Sequence, residues 1–278
     1  MVNDIAITQS GEMLLHQCTV VDELGQSRDI AVTTERALTI YLNKREIVTL
    51  MTMGSHPEWL VLGYLLNQQL IQDVASVRAI QVDWEVSAAV ISVKDNDKDT
   101  TQLTEQLSKR TVTSGCGQGT MFGDAMATLE PVAASATVYT PALVYQLLTA
   151  LQEYNQVYKT AGAVHACALC TEQGEISFFV EDVGRHNAVD AISGWMALHD
   201  VSGKNKIFYT TGRLTSEMVI KVAQMQIPIV LSRSGVTEMG LDIAKKMGIT
   251  LVARAKGKHF LIFHQAERFQ FSSFNSSQ

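Results

Sequence analysis

Hydrophobic and polar positions in the first part of the chain fall into short strand-like runs. Ala37–Leu42 and Ile47–Met51 flank Asn43-Lys44-Arg45 and predict two strands around a turn. His56-Pro57 then opens a segment in which Trp59, Leu62, Leu66 and Leu70 fall near helical spacing. Ile80–Val86 and Ala88–Val93 read as further strands, and Lys94–Glu105 as a polar loop. A glycine-dense stretch, Ser114–Gly123, separates this part from the rest.

The second part alternates more regularly. Thr140-Pro141 supplies an N-cap and a first-turn proline for a long helix reaching about Lys159. Ala163–Cys170 and Ile176–Glu181 form a predicted hairpin. A helix over His186–His199 follows, then a strand Lys206–Thr211, a helix Thr215–Met225 and a strand Ile229–Ser232. A helix Thr237–Met247 stops at Gly248, and strands Ile249–Ala253 and Phe260–His264 complete the series before a polar tail, Gln270–Gln278. Strands alternating with helices of this length predict an α/β layer with parallel pairs. The chain therefore reads as α/β in two domains. Residues 1–130 form a mixed α+β domain ending in the glycine-rich loop, and residues 131–278 form the α/β domain.

Composition narrows the function classes. With 46% hydrophobic and 18% charged residues over 278 positions, the chain is globular and long enough for a real core. Its 22 Lys+Arg against 28 Asp+Glu leave a formal charge of −6, so no global basic field recruits nucleic acid. No apolar run approaches a membrane span, and the start of the chain lacks the basic and apolar regions of a signal peptide. Four cysteines in such a length do not form a disulfide framework. The expectation is a cytoplasmic protein with reduced thiols.

Candidate chemistry gathers at strand ends. Arg185, Arg213, Arg233 and Arg254 each follow a predicted strand, at the edge where open α/β sheets bind ligands. Three of them also stand at or just before helix starts, where backbone N–H groups and the dipole favour anions. Gly184, Gly212, Gly235 and Gly257 would allow close backbone approach, and Lys256 and Lys258 add charge beside Arg254. Together they predict a polyanion site, for a nucleotide or a pyrophosphate-bearing cofactor. Read singly, each arginine is a surface residue serving its own loop. No Walker pattern and no G-x-G-x-x-G after a strand is present.

Cys116, between Gly115 and Gly117, reads as an exposed nucleophilic thiol, or else as an inert loop cysteine; Lys109 and Arg110 are nearby cations in sequence. Cys167 and Cys170, with His165 just before them, suggest a metal set. On a strand, however, residues three apart face opposite ways, so buried core cysteines and no metal are expected. Asp95-Asn96-Asp97 lacks the glycine and the closing glutamate of a calcium loop. His165 and His186 read either as acid/base residues or as satisfied core histidines.

The run EDVGRHNAVD (Glu181–Asp190), with GAVHA (Gly162–Ala166) before it, resembles the formate dehydrogenase accessory sulfurtransferase family, FdhD. GRLTSEMVIK (Gly212–Lys221), IPIVLSRSGVT (Ile227–Thr237), GITLVARAKG (Gly248–Gly257), EWLVLGYLL (Glu58–Leu66) and TSGCG (Thr113–Gly117) extend the resemblance over nearly the whole chain. It implies a cytidine-deaminase-like second domain without zinc, and a homodimer. It also implies a sulfurtransferase whose loop cysteine, here Cys116, takes persulfide sulfur from a cysteine desulfurase. The sulfur then passes to the bis(molybdopterin guanine dinucleotide) molybdenum cofactor that formate dehydrogenase needs. The family's cofactor-binding stretch corresponds to Arg254, Ala255, Lys256, Gly257, Lys258 and His259, and GDP would serve as a ligand mimic.

The sequence departs from the family pattern at Gly119, where a second loop cysteine is usual, and at Ala161, Ala191 and Asn67-Gln68-Gln69. Loss of the second thiol keeps open a cofactor carrier or chaperone without transfer chemistry. A hydrolase of the deaminase type is the third reading, which stoichiometric zinc would support.

Overall fold

A computed structural model describes residues 5–8, 13–94 and 129–271 of the chain. Cys116 and Gly119, the remainder of the predicted loop after Lys94 and residues 272–278 lie outside the described residues. The chain divides into two compact units, and it passes between them more than once. The first takes Met1–Leu129 with Asn155–Cys167 and Phe179–Ser202; the second takes Glu130–Tyr154, Ala168–Phe178 and Gly203–Gln278. No described helix is long and apolar enough to cross a membrane.

In the first unit, strands β1 (Ala6–Ile7), β4 (Arg36–Leu42), β5 (Arg45–Thr52), β6 (Val77–Asp83) and β7 (Ala88–Val93) form one sheet in the order β1-β6-β7-β4-β5. β4 and β5 pair antiparallel across Asn43-Lys44, with Asn43 in the left-handed region at φ 54°. β4 lies parallel to β7. Alternate residues of β4 (Leu38, Ile40 and Leu42) point into the core with Ile47, Leu50, Ile80 and Ile91. The predicted strand Ile80–Val86 instead occupies Val77–Asp83. The Asp83 carboxylate accepts the Glu85 N–H, and Ser87 takes φ 53°, so the chain turns where the apolar pattern had suggested extension.

Helix α1 (Pro57–Asn67) is buried along most of its circumference, through Leu60, Val61, Leu62, Gly63, Tyr64 and Leu65. The spacing of Trp59, Leu62, Leu66 and Leu70 had marked a narrower stripe, of which Trp59 and Leu66 are only half-buried. Strands β2 (Leu15–Val21) and β3 (Ser27–Thr33) form a separate antiparallel pair, and β3 packs against α3 (Gln156–Ala161). Sequence patterning did not find this hairpin, because most of its residues are exposed. The long helix expected from Pro141 to Lys159 breaks at Asn155 (φ −71°, ψ 63°). α2 (Pro141–Tyr154) belongs to the second unit and α3 to the first.

The second unit carries a sheet in the order β13-β12-β11-β10-β8-β9, where β8 is His165–Thr171, β9 Ile176–Asp182, β10 Lys206–Thr210, β11 Ile229–Ser232, β12 Thr250–Lys256 and β13 His259–His264. The first residues of β8 and the last of β9 count with the first unit. β10, β11 and β12 run parallel and β13 antiparallel to β12. Near-continuous apolar burial along β10 and β11 fits strands covered on both faces. Helices α5 (Ser216–Gln224) and α6 (Glu238–Met247) pack against each other, and α4 (Arg185–Leu198) packs against α1 in the first unit.

Candidate anion-binding edge

The carboxyl ends of β10 and β11 are built alike. Thr210 pairs with Ser232 on the ladder, and past the strands Leu214 pairs with Val236 in a second parallel bridge. Each strand ends in a hydroxyl residue that turns its own loop: Thr210 Oγ1 accepts the Gly212 N–H at 3.0 Å, and Ser232 Oγ accepts the Ser234 N–H at 3.0 Å. The Ser232 hydroxyl also donates to the Gly212 carbonyl at 2.7 Å, and the Leu214 N–H donates to the Gly235 carbonyl at 2.9 Å. These bonds lock the two loops together before α5 and α6 begin. Arg213 is exposed on the first loop. Arg233 is half-buried at the head of the second, its N–H donating to the Thr210 carbonyl at 3.0 Å.

Arg254 joins them from the third strand. The sequence had ended that strand at Ala253; β12 continues to Lys256, and Arg254 sits within it as an exposed residue at φ 53°. A left-handed arginine costs about 1 kcal/mol or more, strain that persists only where its surroundings impose it. Here the pairing of β12 with β13 shifts register between Ala253 and Lys256, and the Arg254 N–H turns to the Ser234 carbonyl at 2.8 Å, next to Arg233. Ala255 is fully buried, whereas Lys256, Gly257, Lys258 and His259 are exposed around a two-residue turn with Gly257 at φ 58°. One unit therefore assembles Arg213, Arg233 and the stretch Arg254–His259 along the carboxyl edge of parallel strands. That is an electropositive rim, suited to phosphate groups.

Arg185, His186 and His165 belong to the first unit. Arg185 and His186 are the half-buried first residues of α4, and His165 is half-buried at the start of β8. The remainder of the EDVGRHN run is scaffolding that sequence reasoning missed. The Glu181 carboxylate accepts the N–H groups of Val157 and Tyr158, both at 2.9 Å, where α3 starts. The Asp182 carboxylate accepts from the Thr52 hydroxyl at 2.5 Å, the Met53 N–H at 3.2 Å, the Gly184 N–H at 2.9 Å and the Asn187 amide at 2.8 Å. Burial pushes the Asp182 carboxyl above its ordinary range, and these four donors oppose that shift. Asn187 also donates to the Met51 carbonyl at 2.7 Å. Most partners of Glu181 and Asp182 lie far along the chain, so no local pattern in the sequence marked these roles.

Cys167 and Cys170 are fully buried on β8, and burial pushes the Cys170 thiol up to about 12. Among the described residues, no group of three or more His, Cys, Asp or Glu is placed to hold a metal. The segment that follows the Cys116 region is moored to the second unit. Glu172 accepts hydrogen bonds from the hydroxyls of Ser135, Thr137 and Tyr139, and the Val132 N–H donates to the Met247 carbonyl at 2.8 Å.

Comparison with known proteins gives a consistent picture. The model of the FdhD/NarQ family matches residues 33–270. The sulfur carrier protein FdhD of Bacillus licheniformis is 30% identical over 252 residues, covering 90% of this chain and 94% of the relative. That of Listeria monocytogenes serovar 1/2a is 28% identical over 262 residues, covering 92% and 99%. A crystal structure assigned as a formate dehydrogenase accessory protein from Desulfotalea psychrophila superposes with a TM-score of 0.75. It is 28% identical in sequence and covers 92% of this chain and 98% of its own.

Proposed function

The chain belongs to the FdhD/NarQ family, and from that premise we propose that it is a sulfur carrier for the molybdenum cofactor of formate dehydrogenase. In this reading the Cys116 thiolate attacks the outer sulfur of a cysteine desulfurase persulfide, and the desulfurase thiolate leaves. The persulfide on Cys116 then gives its outer sulfur to the cofactor, which contributes the electron pair of the new bond, and Cys116 returns to the thiolate. The bis(molybdopterin guanine dinucleotide) cofactor is the acceptor substrate, held through its pyrophosphates.

The observation that carries this reading is the alignment of Arg213, Arg233 and Arg254 along the carboxyl edge of three adjacent parallel strands. Arg254–His259 would hold one end of the ligand, and GDP is the simplest probe of the edge. Names of the relatives support the sulfur-carrier role, and the sheet order supports a deaminase-like second domain. Homodimer formation and a cytoplasmic location complete the proposal. Gly119, in place of a second loop cysteine, favours the alternative of a carrier that holds the cofactor without passing sulfur.

Formate dehydrogenase activity decides between the two. In cells lacking their own sulfur carrier, this protein should restore activity and Cys116→Ala should not. Restoration by Cys116→Ala would support the carrier that does no chemistry.

A further inference from the structure

Lys221 is 2% exposed, among the largest fully buried side chains of the described residues, and the mechanism above does not use it. It lies on α5, where Met218, Val219, Ile220, Val222 and Ala223 are buried around it. Packing alone would be served by leucine or methionine, since burying an ammonium carries a desolvation cost that an apolar residue avoids. A long side chain on a helix leans back toward the N-terminus, and the Lys221 Nζ lies 3.6 Å from Glu217 Oε1, one turn earlier. Glu217 is in the first turn of α5, just after Arg213 and Leu214, and Thr215 makes no side-chain cap bond there. At this place a carboxylate opposes the rim: it satisfies the helix dipole itself and repels an arriving phosphate.

We propose that Lys221 is a positioning residue of the anion edge, cancelling the Glu217 carboxylate so that the first turn of α5 accepts phosphate groups. The inference deepens the reading of that edge as a nucleoside-diphosphate site and rests on it. The Lys221 ammonium neutralises the carboxylate from one turn along the same face of α5, leaving the charge of the rim to Arg213, Arg233 and Arg254.

Calorimetric titration with GDP and with guanosine separates charge from shape. Lys221→Met should weaken GDP about tenfold, the scale of one unit charge acting over about 12 Å at an effective dielectric near 20. Guanosine affinity should hold. The double variant Lys221→Met with Glu217→Gln should recover GDP binding, and Lys221→Arg should stay near wild type. Glu217→Gln alone, which keeps the lysine and its packing, should tighten GDP severalfold. Parallel loss of GDP and guanosine, or no recovery in the double variant, overturns the proposal. So does an unchanged GDP affinity in both Lys221→Met and Glu217→Gln while the wild type binds. A wild-type protein that does not bind GDP overturns the nucleotide reading of the edge, and this inference with it.

Discussion

Gly63 of α1 and Gly194 of α4 meet where the two helices pack. A Cβ on Gly63 would lie 1.8 Å from the Asp190 carbonyl oxygen, and one on Gly194 would lie 2.0 Å from that of Trp59. Each helix therefore offers bare backbone to the other. Asn67 closes the joint, donating to the Asp190 carboxylate at 2.6 Å and accepting from Ser193 at 3.2 Å. An added methyl has nowhere to go, so Gly194→Ala should destabilise the fold by about 3 kcal/mol. Urea denaturation measures this, and an unchanged midpoint would contradict it.

Scaffold and ligand roles should separate cleanly. Asp182→Ala strips the acceptor from four donors, leaves buried groups unsatisfied and should cost about 3 kcal/mol of stability. Arg213→Ala and Arg254→Ala remove exposed side chains and should stay within about 0.5 kcal/mol of wild type. Their GDP affinity should fall, and the salt dependence of binding should flatten. Thermal melts beside titrations at two ionic strengths test both halves.

His56 stacks on Trp59 with ring centroids 4.3 Å apart, and burial lowers its pKa from 6.5 to about 4. Between those values the unfolded chain takes up a proton that the folded chain refuses. Stability present above pH 6.5 is therefore lost as the pH falls toward 4. Burial shifts Glu58 upward, so its contribution runs the other way, and the comparison is with His56→Phe, which keeps Glu58. The variant should lack about 2 kcal/mol of that acid loss, allowing for the part-exposed ring. Melting curves of equal pH dependence would contradict this.

Thiol reactivity should follow burial. Cys167 and Cys170, fully buried, should resist iodoacetamide at neutral pH until the protein unfolds. Cys116 should be labelled in the native protein at a rate that rises as its thiolate forms. Peptide mapping after brief labelling checks this; early modification of Cys170 would contradict it.

What the sequence revealed follows from where its signals lie. Arg213, Arg233 and Arg254 were legible because parallel strands and glycine-bearing loops have strong local patterns, and ladder register then carries side chains to one edge. Arg254 was placed one step past a strand rather than within a bulged one, since a left-handed arginine has no sequence signature. Asp182 and Glu181 escaped because their partners, Thr52 and Met53 or Val157 and Tyr158, are brought to them only by the fold. The β2–β3 hairpin escaped for the opposite reason: it buries too little to imprint an alternating pattern.

The central claim is that Cys116 carries sulfur, and intact-mass spectrometry tests it most directly. After incubation with a cysteine desulfurase and free cysteine, the protein should gain one sulfur, about 32 Da, removable by a reductant. Cys116→Ala should gain nothing. No gain in the wild type, or an equal gain in Cys116→Ala, would contradict the account.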